Sequence, residues 1–438
     1  MQFLHAPFPR RGTNLLLHPS RLLVLALTLG CVTLSATPRH AYLMREAAAA
    51  VQAGDQAAAL AKLEEAAGLR PDYPRLQLLL ARTYAALEQP AGALAALQRL
   101  ADMGLRVNVA ADPAFAALKD SPDFRTVSTR LATGPAAQAA ADEAAFALPD
   151  VTGIIESCLV DPGTLLWYFG DVRNRCIWQR EAGSGALRKF TSEEDALDGV
   201  FKIALSPDRK TLWATTATVS AMTGADAEDG KRSSLVAIDF ATGRVRASFP
   251  ATAKGIKHLL GDFILAPDGS IYATDSIYQA VWRLPPDGKE LEVWLENTEF
   301  MNLQGLAFSD DGRTLYISDY ANGVWSIDVA TKAPVLLTAP ANATFFGLDG
   351  IYAVPGGLLA VQSGVSPQRI LRIEPATTGP SAARVVASGR PAMTDLALGQ
   401  VFNGRFHFVG NSGWELFDPP PATPPPPRPV TIYSIPLH

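Results

Sequence analysis

Between Glu156 and the C-terminus the chain repeats one phrase six times. Aligned by their turns, the copies put Glu156, Phe201, Gly261, Gln304, Asp349 and Thr394 at one position, at intervals of 45, 60, 43, 45 and 45 residues. Each copy opens with a short apolar strand (ESCLV, FKIAL, DFILA, GLAFS, GIYAV, TDLAL). An SPD-, APDG- or SDDG-like turn follows, then a second strand such as TLWATT or TLYISDY, and then a third: CIWQR, LVAID, VWRLP, VWSID, ILRIE, IYSIP. A period near 45 residues with several short strands per copy belongs to propeller blades. The spacing therefore predicts an all-β six-bladed propeller over residues 145–438.

The sixth copy ends without a fourth strand. An open ring would expose sheet edges, and AFALPD, from Ala145 to Asp150, is the segment available to close it. The proline run PPPATPPPPRP falls before IYSIP, which matches the third strand of every earlier copy, so it reads as an insertion within the sixth blade. ATVSAMTGADAEDGKR is the corresponding insertion in the second.

Upstream, residues 42–131 are rich in Ala, Leu, Glu, Gln and Arg with apolar residues at helical spacing. Gly54 and Glu88, Ala59 and Ala93, Leu60 and Leu94, and Leu63 and Leu97 stand 34 residues apart, which is the tetratricopeptide period. About two such repeats are expected, capped by DPAFAALKDSPDF. Two are few for a free-standing solenoid, so the module is expected to pack on the propeller or on a protein partner, the alternative being a helical spacer. Residues 132–144 read as an Ala-rich linker. Residues 1–36 carry Arg10, Arg11 and Arg21, then LLVLALTLG, then small residues ending near Ala36, the order of a secretory signal. The expectation is a periplasmic or secreted protein with no stable membrane span after cleavage, a retained anchor being the alternative.

A net charge of −5 with 18% charged residues lacks the basic surface that nucleic acid requires. Cys158 and Cys176 fall on the first and third strands of one blade, roughly 9 to 10 Å apart, beyond disulfide reach; they are expected to be buried thiols.

The repeat also sorts the propeller's two mouths. The six opening residues lie at one mouth and the Asp- and Gly-rich turns at the other. The segments after the second strands (GDVRN, TTATV, TDSIY, SDYAN, QSGVS, GNSGW) return to the first mouth, where both insertions flank Glu156. That polar, elaborated mouth is the default site, with Asp275, Asp319, Gln362 and Asn411 as candidate substrate contacts. Glu156 and Asp349 converge there from different blades, and a buried carboxylate is costly unless paired or coordinated. They read either as ligands of a hard divalent cation with Gln304 as a neutral third, or as acceptors for backbone amides.

The phrases TGIIES, HLLGDFILAPDGSIYATDS, LQGLAFSDDGRTLYISD and LDGIYAVPGGLLAVQSG resemble the regucalcin, gluconolactonase and strictosidine synthase-like superfamily of six-bladed propellers. The resemblance implies a calcium-type ion held by Glu156 and Asp349, with the family's two Asn ligands falling on Gly261 and Gln304 and the neighbouring Asp262 as a substitute oxygen. It implies lactone or ester hydrolysis by metal-activated water, with Asp349 as ligand and general base and His258 or Gln304 touching substrate. No G-x-S-x-G elbow supports a covalent route. The alternative function is a non-catalytic ligand- or protein-binding propeller with a degenerate metal site. Metal-independent chemistry, as in the strictosidine synthase branch, is a third.

Overall fold

The computed structural model describes residues 38–135, 144–192, 194–224 and 229–437. The expected secretory signal, residues 1–36, and most of the expected Ala-rich linker lie outside the described residues. The chain forms two compact units that divide at Pro135 and Ala136.

The first unit is helical: α1 (Arg39–Gln52), α2 (Gln56–Leu69), α3 (Pro74–Ala86), α4 (Pro90–Asp102), a 3-10 turn (Pro113–Leu118) and α5 (Pro122–Thr133). The 34-residue period is visible in its geometry. Gly54 and Glu88 both end a helix at positive φ, 78° and 56°, and Ala59 and Ala93, both fully enclosed, occupy equivalent places in α2 and α4. Asp55 caps α2 by accepting the Ala58 N–H at 2.9 Å, satisfying one of the orphan donors of a helix start. Small residues at these positions let the helices approach, and Leu43, Leu63, Leu76, Leu80 and Leu97 fill the space between them.

The second unit contains six four-stranded antiparallel sheets among the described residues. Five are built from consecutive strands, as in blade three, Leu260–Leu265, Ile271–Asp275, Ala280–Leu284 and Glu292–Glu296. The sixth takes its outer strand from the other end of the unit: Ala144–Val151 pairs with Arg428–Pro436, which pairs with Arg405–Val409 and then Gly399–Phe402. The segment read as AFALPD thus closes the ring, with Leu148 fully buried. Neighbouring blades share apolar cores; Tyr272 and Trp294 of blade three, for example, pack with Leu306 and Ile317 of blade four.

Polar ties repeat around the ring. Ser157 Oγ donates to the Phe201 carbonyl at 2.6 Å, Thr215 Oγ1 to Gly261 at 3.2 Å, Thr274 Oγ1 to Gln304, and Ser318 Oγ to Asp349 at 3.0 Å. The Leu398 N–H reaches the Glu156 carbonyl at 2.9 Å. Five of the six opening residues are therefore tied through their carbonyls to the preceding blade. The sixth differs from the expectation. Pairing of Val401 with Phe406 puts Ala397 at the ring level, three residues beyond Thr394, because the chain enters blade six through an extra stretch whose Thr394 and Asp395 amides both donate to the Gly410 carbonyl. Cys158 and Cys176 are free and buried, and burial pushes the Cys158 thiol up to about 12. Among the described residues no helix is long and apolar enough to cross a membrane.

Candidate functional site

In blades two to five the first strand breaks its ladder at the ring residue. Leu260 faces Asp275 but Phe263 faces Ala273, and the same slip occurs between Val200 and Ile203, Leu303 and Leu306, and Leu348 and Ile351. A bulge re-aims the side chains within it, and the two residues inside each one are the ring residue and its follower. Glu156 and Asp349 are each only 5% exposed at this level.

The second-blade insertion and the chain leading into the sixth-blade proline run gather beside Glu156. The turn α6 (Trp414–Phe417) lies between the GNSGW segment and the proline run of the sixth blade. Its Phe417 buries with Val219, Ala221 and Met222 of the second-blade insertion and with Phe201. Trp414 packs on Phe201, ring centroids 6.1 Å apart, and its indole N–H donates to Glu156 Oε2. The mouth over blades one and two is thus lidded by apolar side chains, and one carboxylate oxygen is engaged by the lid.

The other expected ligands face partners of their own. Asp349 Oδ2 accepts from Ser363 Oγ at 3.1 Å, and the Gln304 amide donates to Asn302 Oδ1. A Cβ on Gly261 would sit 3.3 Å from Gln304 Oε1 and 3.2 Å from Ser276 Oγ. The longer Gln304 therefore fills the space that an Asn at position 261 would occupy. Asp262 likewise has partners of its own: its Oδ1 accepts the Phe263 N–H at 2.7 Å and lies 3.8 Å from Lys202 Nζ. Among the described residues no three His, Cys, Asp or Glu side chains gather in a group that could hold a metal. As arranged, Glu156, Gln304, Asp349 and Asp262 each have a hydrogen-bond partner within the protein.

The candidate substrate contacts are drawn into the fold instead. Asp275 is 1% exposed; it accepts from the Leu259, Ile277 and Tyr278 amides, from Trp282 Nε1, and pairs with His258 Nδ1 at 2.8 Å. Asp319 does the same with the Met301, Asn302 and Ala321 amides and Trp325 Nε1, and Asp171 with Ile154, Asn174 and Trp178. In blade five Gln362 takes this place, donating to the Thr344 and Phe346 carbonyls and accepting from the buried Arg369. Asn411 binds the Pro429 carbonyl and the Thr431 amide of its own blade. The Asp repeated after the second strand is a lock between strand ends, and its burial follows from the number of amides it serves. His258 completes one lock, its Nε2 on the Ala253 carbonyl at 3.0 Å. Burial lowers its pKa, but the Asp275 hydrogen bond and charge outweigh that, and the net shift is upward.

Lys202, the ring follower of blade two, was not among the expected site residues. Its ammonium reaches the Gly399 carbonyl of blade six at 3.2 Å, the Tyr352 hydroxyl of blade five at 3.5 Å and the Asp262 carboxylate of blade three. It lies across the channel as a bar. Beyond it, toward the plain turns, the channel widens into a cavity of about 440 Å³ lined by first-strand residues including Leu159, Leu205, Phe263, Leu265 and Ile351, with Ser206 and Arg209 at its rim. The cavity thus opens at the mouth opposite the one that sequence favoured. Burial, with the charge of Asp349 adding to it, pushes the Asp262 carboxyl above the usual carboxylate range against the pull of Lys202. The available signal was FKIAL, where a lysine interrupts an otherwise apolar first strand.

Fold and site together define a six-bladed propeller unit in a chain that also carries tetratricopeptide-like helices. Residues 50–120 match the tetratricopeptide repeat family. No curated protein matches the chain. Among solved structures it is similar to a PQQ-bound aldose sugar dehydrogenase from Streptomyces coelicolor, at 17% identity over 68% of this chain and 99% of that one with a TM-score of 0.44. It is also similar to a streptogramin B lyase, at 16% identity over 60% and 77% with a TM-score of 0.42. An inactive virginiamycin B lyase variant from Staphylococcus aureus with quinupristin matches at 13% identity over 62% and 83%, TM-score 0.44. These are likenesses of fold, and no activity passes to this chain through them.

Proposed function

We propose that this chain is an exported ligand-binding propeller whose gluconolactonase-like cation site has degenerated, and that its ligand enters the channel cavity at the plain-turn mouth. The observation that carries the reading is the double commitment of the ring: Glu156 Oε2 is engaged by Trp414 and the Gly261 space is filled by Gln304. Trp414 takes one of the roughly four lone-pair sites of the Glu156 carboxylate, so a cation there would share Glu156 with the lid. The cavity, in contrast, has the size of a small-molecule site and one buried ion pair at its closed end. Export rests on the order of charged, apolar and small residues in 1–36. A protein partner for the helical unit rests on its tetratricopeptide-like repeats.

The test is thermal shift of the full mature chain with calcium, manganese and zinc, together with a pH-indicator screen against aldonolactones and aryl esters. The binding reading expects no shift and no turnover. A cation-dependent shift that Glu156→Gln and Asp349→Asn both abolish, accompanied by lactone hydrolysis lost in Asp349→Asn, would establish the metal-dependent hydrolase instead.

A further inference from the structure

The reading of the cavity as a ligand site can be taken further from the charges at its closed end. Lys202 is 8% exposed and Asp262 3%, and these are the charges at the cavity's floor; at the rim, Arg209 is held bidentate by Asp161 at 2.7 and 2.8 Å. The floor pair is a loose one. Its 3.8 Å separation is well beyond the roughly 2.7–2.9 Å of a charge-assisted hydrogen bond, and Lys202 makes its shortest contact with the Gly399 carbonyl. The Tyr352 oxygen accepts the Gly399 N–H at 2.7 Å, which leaves its own O–H as a donor at the same place. The floor therefore offers donors from Lys202 and Tyr352 beside an acceptor from Asp262, with zero net charge between the two ions and apolar residues along the walls.

We infer that the cavity takes a small, uncharged, apolar-bodied molecule whose head both accepts and donates hydrogen bonds, a primary carboxamide being the fitting case. The carbonyl accepts from Lys202 and Tyr352 while the amide N–H donates to Asp262. A free carboxylate or ammonium would bring an unpaired charge against a Lys202–Asp262 pair that already cancels, and an unpaired buried charge is strongly disfavoured.

This inference rests on the cavity being the ligand site, and the experiment separates the two. Three probes of one shape, cyclohexanecarboxamide, cyclohexanecarboxylate and cyclohexylammonium, are titrated against the full mature chain by ligand-observed saturation-transfer NMR. The carboxamide is expected to bind about tenfold more tightly than either charged probe. Asp262→Asn leaves the floor with net positive charge and is expected to reverse the order in favour of the carboxylate. Lys202→Met is expected to favour the ammonium, and it replaces the first variant if that one fails to melt cooperatively. A wild-type preference for a charged probe, or an order unchanged in a folded variant, overturns the neutral-ligand inference while leaving the cavity reading in place. Absence of binding by all three probes overturns both.

Discussion

The two mouths of the propeller use their polar residues in opposite ways. The elaborated mouth is rich in carboxylates and amides, yet these serve strand ends, insertion loops and one another: Asp275 and Asp319 hold backbone amides, and Glu156 holds the lid through Trp414. The plain mouth has short Asp- and Gly-rich turns and no insertion, and there the channel opens as far as the Lys202 bar. Polar density at a propeller mouth thus measures how much backbone has to be satisfied as well as how much ligand can be bound. An oxygen that already accepts several amides has little left to offer a ligand.

The comparison can be broken most severely by opening the ring. A chain beginning at Val151 lacks most of the closing strand and should lose more than about 3 kcal/mol through Leu148 and Phe146 alone, together with cooperative melting, as read by urea unfolding. An unchanged transition would mean that both mouths are held without closure. Asp275→Ala or Asp319→Ala should cost about 3 kcal/mol or more by stranding buried amides, with no effect on carboxamide binding in the folded fraction. Loss of binding without loss of stability would return those residues to the site. Trp414→Phe keeps the lid's ring but removes its donor, and should cost about 1.5 kcal/mol in thermal unfolding.

Smaller effects sharpen the same contrast. Gly261→Ala should destabilise by about 1 kcal/mol, because the new methyl crowds Gln304 and Ser276. Gln304→Ala in the same chain should recover part of that cost, and a double-mutant cycle with no coupling would deny that Gln304 fills the Gly261 space. The last effect is a drift with pH. His258 has both ring nitrogens on acceptors and a raised folded pKa, so its contribution to stability is fully present below the unfolded value of about 6.5 and is lost as pH rises through the folded value. Melting temperature should fall across that window in the wild type, and His258→Gln should remove this component.

The fold was legible in the sequence because each blade is a local unit with its own turn signals. Even the non-local closing strand could be assigned, since only one segment was left to complete blade six. The misplacement of Thr394 has a physical origin: the extra chain entering blade six imitates the ring phrase, and only pairing across to Phe406 resolves the register. The site was less legible because residue type does not reveal what a side chain is spent on. Asp319 and Asp349 both read from the sequence as site residues of the polar mouth, but one is enclosed by amides and the other sits in the ring beside Ser363. Lys202 stood inside the repeated phrase, one residue from its ring position, and its span to blades three, five and six is a property of ring closure.

The central claim, that the carboxylate mouth belongs to the fold and the opposite mouth to the ligand, is tested most directly by titration calorimetry of calcium into the full chain. The account predicts no binding heat at millimolar calcium. Stoichiometric binding that disappears in Asp349→Asn would contradict it and restore the ring as a metal site.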